Sequence, residues 1–131
     1  MMNIYDAADK MVRKPIKMVS AKQNMDTMKR LVVDWHLGPE KATEEIGANK
    51  PFWSSYANVM KVPEAEARRL LCANCEYFEN TPEMMKAMDS VPFNKYDADG
   101  GGRGFCHKFD FICHNLRTCQ AWERKDFELD E

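Results

Sequence analysis

The sequence predicts a chain that is mainly α-helical in its N-terminal half and closes in a small, irregular, loop-rich C-terminal domain. Three observations carry this expectation. Apolar residues recur at helical spacing between Ser20 and Leu71. Periodicity fades from Ser90 onward, where Asp97-Ala98-Asp99-Gly100-Gly101-Gly102-Arg103-Gly104 reads as a loop. All five cysteines of the 131-residue chain fall between Cys72 and Cys119. The expected divisions are an extended arm over 1–19, a helical segment over 20–71, a cysteine-bearing domain over 72–122 and an acidic tail over 123–131.

The arm mixes basic and apolar residues around Pro15 without a sustained period. From Ser20, the positions Met25, Met28, Val32 and Trp35 predict a first helix, closed by Gly38-Pro39. A short helical turn is expected over Glu40–Ile46, before Gly47. Asn49 then reads as the cap of a second helix with Phe52, Tyr56, Val59 and Met60 on one face. Pro63 at a first helical position, followed by Glu64 and Glu66, opens a third helix that runs through Leu71 and delivers the chain to Cys72. Thr81-Pro82-Glu83 starts a fourth, with Met84, Met85 and Met88 as a narrow apolar stripe. The ten methionines read as flexible core filler or adaptable contact surface. Asp97 and Asp99 resemble the start of a calcium loop, but the later ligands and the closing Glu are missing. The tail carries only Phe127 and Leu129 as apolar residues.

Composition narrows the function classes. A chain of this length with 44% apolar residues builds one modest core. Nineteen Lys+Arg against 21 Asp+Glu leave a net charge of −2, without the basic excess of a nucleic-acid or lipid-headgroup binder. No apolar run reaches the roughly 20 residues of a bilayer span. Asp6, Asp9, Lys10, Arg13, Lys14, Pro15 and Lys17 interrupt the opening segment, so no signal peptide is expected and synthesis is placed in the cytoplasm. In that reducing compartment an odd number of cysteines points to ligation rather than disulfides.

The pattern is Cys72-x2-Cys75, then Cys106, Cys113 and Cys119. A Cys-x2-Cys turn lets two sulfurs reach one ion or one cluster, and either zinc or iron–sulfur accepts four thiolates. Only one such knuckle is present, and aromatics flank the cysteines: Tyr77, Phe78, Phe105, Phe109, Phe111 and Trp122. A bulky cluster needs such a wide, dry shell. His107 and His114 each follow a cysteine, an arrangement that rarely puts both side chains on one centre, and His36 sits alone at a helix end.

Cys72-Ala73-Asn74-Cys75-Glu76-Tyr77-Phe78, Gly104-Phe105-Cys106-His107-Lys108-Phe109 and Cys119-Gln120-Ala121-Trp122 together resemble the cluster-binding half of high-potential iron–sulfur proteins (HiPIPs). The resemblance implies a HiPIP-like fold around a 4Fe-4S cluster held by Cys72, Cys75, Cys106 and Cys119, with Cys113 as the spare thiol. It covers about residues 72–122. The chain departs from that family in its longer stretch between Cys75 and Cys106, in Arg117-Thr118 where the family has a glycine-aromatic pair, and in lacking a twin-arginine export signal.

No phosphate loop, nucleophile elbow or dinucleotide motif accompanies the cysteines, so no enzyme is expected. The leading expectation is a structural protein of a larger assembly, ordered by the cluster and contacting other protein subunits through its arm, its methionine-rich helix and Phe52-Trp53-Tyr56. The chain is also similar, more loosely, to small cluster proteins encoded by tailed bacteriophages, which implies incorporation in a virion. A HiPIP-like electron carrier is the alternative, and a zinc-stapled interaction module the third reading. Neither membrane nor nucleic acid is an expected partner.

Overall fold

The structure is a computed structural model that describes residues 17–124. Most of the predicted arm, 1–16, and the tail from 125 to 131 lie outside the described residues.

The first helix, α1 (Ala21–Asp34), begins where the sequence places it. Ser20 Oγ accepts from the Gln23 backbone N–H (3.1 Å) while Gln23 Oε1 accepts from the Ser20 N–H (2.9 Å), a reciprocal capping box. Its buried stripe is Asn24, Met28 and Leu31 rather than the expected Met25, Met28 and Val32, and Val32 is half exposed. The one-residue rotation brings Asn24 inside, where its Oδ1 accepts from the Ile112 N–H at 2.6 Å and ties α1 to a strand edge. A polar residue in the stripe is invisible to an apolar count.

No helix forms over 40–46, which runs as turns. The second helix, α2 (Lys50–Met60), buries Trp53, Tyr56 and Ala57. Asn49 does not cap it: the residue is left-handed, and its Nδ2 donates to Lys41 O (3.0 Å), closing the preceding turn instead. The third helix, α3 (Glu64–Ala67), is shorter than expected. Beyond it, Arg69 N–H bonds Glu66 O and Leu70 N–H bonds Ala67 O. These tighter bonds end the helix and turn the chain into a 3-10 turn over Cys72–Asn74.

The second half holds more regular structure than its sequence predicts. Strand β1 (Phe78–Glu79) is followed by α4 (Pro82–Met88), which Thr81 caps as expected, then α5 (Lys95–Ala98), β2 (Arg103–Cys106) and β3 (Phe111–His114). The strands form one antiparallel sheet in the order β1-β2-β3. The N-terminal half is helical as expected, and the loops of the C-terminal half carry short helices and strands as well: the protein is a mixed fold of α-helices with a small sheet. The strands are two to four residues long, too short for sequence alternation to stand out.

The sheet sorts side chains by the period of two. Register pairs Cys106 with Phe78 and Phe111, and Gly104 with Cys113, on one face. Phe105 opposite Ile112, and Arg103 opposite His114, point to the other. The first face belongs to a core holding Cys72, Cys75, Phe78, Phe111 and Cys113 together with Met28, Leu31 and Leu37 from the helical segment. The second packs Phe105 and Ile112 on Met84, Met88 and Val91. Phe105 therefore lies outside the cysteine shell in which the sequence had placed it. Gly104 is required by contact, since a Cβ there would run into the Phe78 ring that crosses it.

Candidate metal centre

All five cysteines line one cavity. Cys72 sits in the 3-10 turn, Cys75 just after it, Cys106 at the end of β2, Cys113 within β3 and Cys119 in the C-terminal turn. Leu37, Tyr77, Phe78, Phe111, Ala121 and Trp122 complete the wall. Four of the six aromatics expected around the cysteines are thus in place, and Phe109 packs against the same core beside Trp35, ring centroids 5.1 Å apart. Cys72, Cys75 and Cys113 are buried, and Cys106 and Cys119 are half-buried. Cys72 Sγ lies 3.1 Å from Cys113 Sγ. The free space between the side chains is only about 20 Å³, roughly the room of one water. Among the described residues, no three or more His, Cys, Asp or Glu side chains are grouped to hold a single metal ion.

Backbone hydrogen bonds position the cysteines across long sequence distances. Cys72 N–H donates to Arg117 O (2.6 Å) and Ala73 N–H to Asn115 O (3.2 Å). Gly38 and Thr118 exchange a pair of bonds, and Gln120 N–H reaches Trp35 O at 2.8 Å. Tyr56 OH donates to Cys119 O (2.8 Å) and accepts from Thr118 Oγ1 (2.9 Å); burial pushes its own pKa up, so it remains a donor. Trp122 Nε1 donates to Leu71 O (2.9 Å) and Asn74 Oδ1 (2.8 Å), pinning the C-terminal turn to the Cys72–Cys75 knuckle.

The electrostatics oppose the thiolate at four of the five cysteines. Burial pushes Cys75, Cys106 and Cys119 up, Cys106 to about 11 and Cys119 to about 12, against backbone hydrogen bonds that favour the charged form. One such bond runs from Ala121 N–H to Cys119 Sγ at 3.4 Å. The bond to Cys113 and burial drive Cys72 well up, and the same bond draws Cys113 down, with help from the Arg117 guanidinium. Four thiolates in this apolar space would repel one another, and a multiply charged cation among them would compensate that charge. The donor set is therefore the right chemistry for a soft, polycationic group: sulfur only, in an apolar wall, with amide hydrogens on sulfur.

Neither histidine beside a cysteine faces this cavity. His107 Nε2 meets Glu79 Oε1 at 2.8 Å on the surface. His114 is buried on the other sheet face in a polar network that sequence reasoning missed. Arg103 forks onto Asp97 through Nε–Oδ1 (2.7 Å) and Nη2–Oδ2 (3.0 Å), and also donates to the carbonyls of Met88, Val91 and Pro92. His114 Nε2 lies 2.9 Å from Asp97 Oδ1, and its Nδ1 lies 2.6 Å from Arg117 Nη1. Arg117 can only donate, so Nδ1 accepts and the proton is on Nε2, facing the carboxylate. Arg117 also donates to Pro39 O and Glu40 O. Arg117 and Thr118, which stand where the HiPIP pattern has a glycine-aromatic pair, are both buried and both hydrogen-bonded. The only sequence signal for this network is the charge in a glycine-rich stretch short of apolar mass. No helix among the described residues is long and apolar enough to cross a membrane. Compared with protein-family models, with curated proteins and with solved structures, the chain matches none.

Proposed function

We propose that this chain is a structural and interaction protein in which a 4Fe-4S cluster, held by Cys72, Cys75, Cys106 and Cys119, staples the fold. The observation that carries this reading is the meeting of thiols from four separate stretches of chain in one apolar cavity, at the point where residues 35–38, 72–75 and 117–120 are bonded together. A centre bound there joins segments that are distant in sequence, so its binding free energy adds directly to folding. The aromatic wall around the thiols favours a body of several metal atoms over a lone tetrahedral ion, because a cluster needs a dry shell. The free space of about 20 Å³ is smaller than a cluster, so seating one requires the cysteine side chains to move apart.

An open groove of about 650 Å³, lined by Met28, Val32, Leu37, Pro51, Phe52 and Tyr96 among others, offers a protein partner a surface next to the staple. This supports the assembly role, in a virion or another multi-subunit particle. Electron transfer is the second reading, and Trp122 favours it: the indole lines both the thiol cavity and an outer pocket that also holds Glu66, Arg69 and Arg124, which places the thiols near the surface.

The test is anaerobic purification. The expected product is brown, with broad violet-blue absorption and roughly equal iron and acid-labile sulfide. A colourless chain loaded stoichiometrically with zinc overturns the cluster and leaves the zinc-stapled module. Reversible voltammetry at an accessible potential would move the balance from staple to carrier.

A further inference from the structure

Four thiols satisfy a cubane cluster, yet the cavity holds five. Cys113 is no bystander: it is 2% exposed, lies on the same sheet face as Cys106 and lines the same wall. Its sulfur is 3.1 Å from that of Cys72, a residue 41 positions away in sequence. The two sulfurs therefore occupy one corner of the cavity. Cys75, Cys106 and Cys119 make no such sulfur–sulfur hydrogen bond among the described residues.

The backbone around the pair is fixed from both sides. Cys72 is held by its N–H on Arg117 O, and Cys113 by the β2–β3 ladder opposite Gly104. Neither main chain has to move for either sulfur to address that corner.

We propose that Cys72 and Cys113 are alternative ligands for a single coordination position, the unbound one standing beside the bound one as a protonated thiol. The proposal rests on the cluster reading above. Exchange conserves charge: one iron–sulfur bond forms as the other breaks, the incoming thiol passes its proton to the outgoing thiolate across their contact, and no electron is transferred. Cys113 thus becomes a site residue that the Cys-x2-Cys spacing does not reveal.

The test compares the serine variants of all five cysteines and the double variant C72S/C113S. Each is purified anaerobically and assayed for iron, acid-labile sulfide and visible absorption, with far-ultraviolet circular dichroism as a folding check. C72S and C113S should each keep at least half of the wild-type iron and sulfide. C75S, C106S, C119S and the double variant should each fall at least tenfold. Loss of the cluster from C72S alone or C113S alone would show one fixed ligand and overturn the proposal, as would its retention in the double variant. Absence of iron and sulfide from the wild type would instead sink the underlying reading.

Should C72S fail to fold, the wild-type holoprotein answers in its place. In mild denaturant, the first equivalent of alkylating agent should divide between Cys72 and Cys113, and label confined to one of them overturns the exchange.

Discussion

The two faces of the sheet solve opposite problems. On one, Arg103, Asp97, His114 and Arg117 satisfy one another and the carbonyls around them, with Arg103 and Asp97 each only 4% exposed in their side chains. On the other, five sulfurs are enclosed by apolar walls with one sulfur–sulfur contact and few donors. The first region is complete as a set of protein groups. The second is assembled from five thiols, and the protein alone disfavours the charged form of four of them. The difference teaches where the fold is self-sufficient and where, on the reading proposed above, it would depend on something bound.

The largest effect should come from removing the proposed cluster. Stripping iron from the loaded protein with a chelator under reducing conditions is expected to lower stability by about 10 kcal/mol, the scale of a structural metal in a small domain. Urea denaturation of loaded and stripped protein measures it. Equal midpoints would show that the thiol face needs no partner, and the contrast between the faces would disappear.

Next comes the polar face. Asp97→Asn leaves Arg103 buried with half its pairing gone and should cost about 3–5 kcal/mol. It should leave iron content unchanged, because Asp97 is on the face turned away from the sulfurs. Met88→Ala, in the apolar cluster beneath the same face, should cost about 2–5 kcal/mol and likewise spare the centre. Loss of iron in either variant would show that the two faces are coupled. Asn24→Ala orphans the Ile112 N–H and should cost about 1–3 kcal/mol, read from the thermal midpoint.

The smallest effect is one of pH. Burial holds His114 below its ordinary value of 6.5, so on acidification the unfolded chain takes up a proton that the folded one refuses. Stability is full above about 6.5 and falls as pH drops below it. Asp97 acts in a lower window. Burial pulls its carboxyl upward, but hydrogen bonds from Arg103 and His114 win and hold it at about 2, so its contribution is lost between about 4 and 2. Urea midpoints from pH 7.5 to 5.5 should slope in the wild type and flatten in His114→Gln.

Much of the helical part was legible. The helix starts expected at Ser20 and at Thr81-Pro82-Glu83 are in place, because such a signal depends on three or four consecutive residues, whereas Asn49 turns away from its helix. The thiol cavity was legible too, since the ligand-type residues are few and only one environment suits them. What the sequence hid was contact between distant residues. Nothing local says that Arg103 forks onto Asp97, that Asn24 reaches Ile112, or that Cys113 meets Cys72. The position of Phe105 was within reach: the period of two, applied to Phe105-Cys106 as a strand, turns the ring away from the sulfur. That step needed β2 to be recognised, and a four-residue strand opening on Arg103-Gly104 gave too little alternation to do so.

Trp122 has a practical consequence. Its indole borders the sulfurs on one side and the outer pocket on the other, with its N–H fixed to the knuckle that carries Cys72 and Cys75. An emitter so close to an absorbing inorganic body should be dark while that body is in place and should brighten as it leaves. If the proposed cluster is bound, Trp122 would therefore act as a built-in optical gauge of loading, readable in a dilute sample without any added dye.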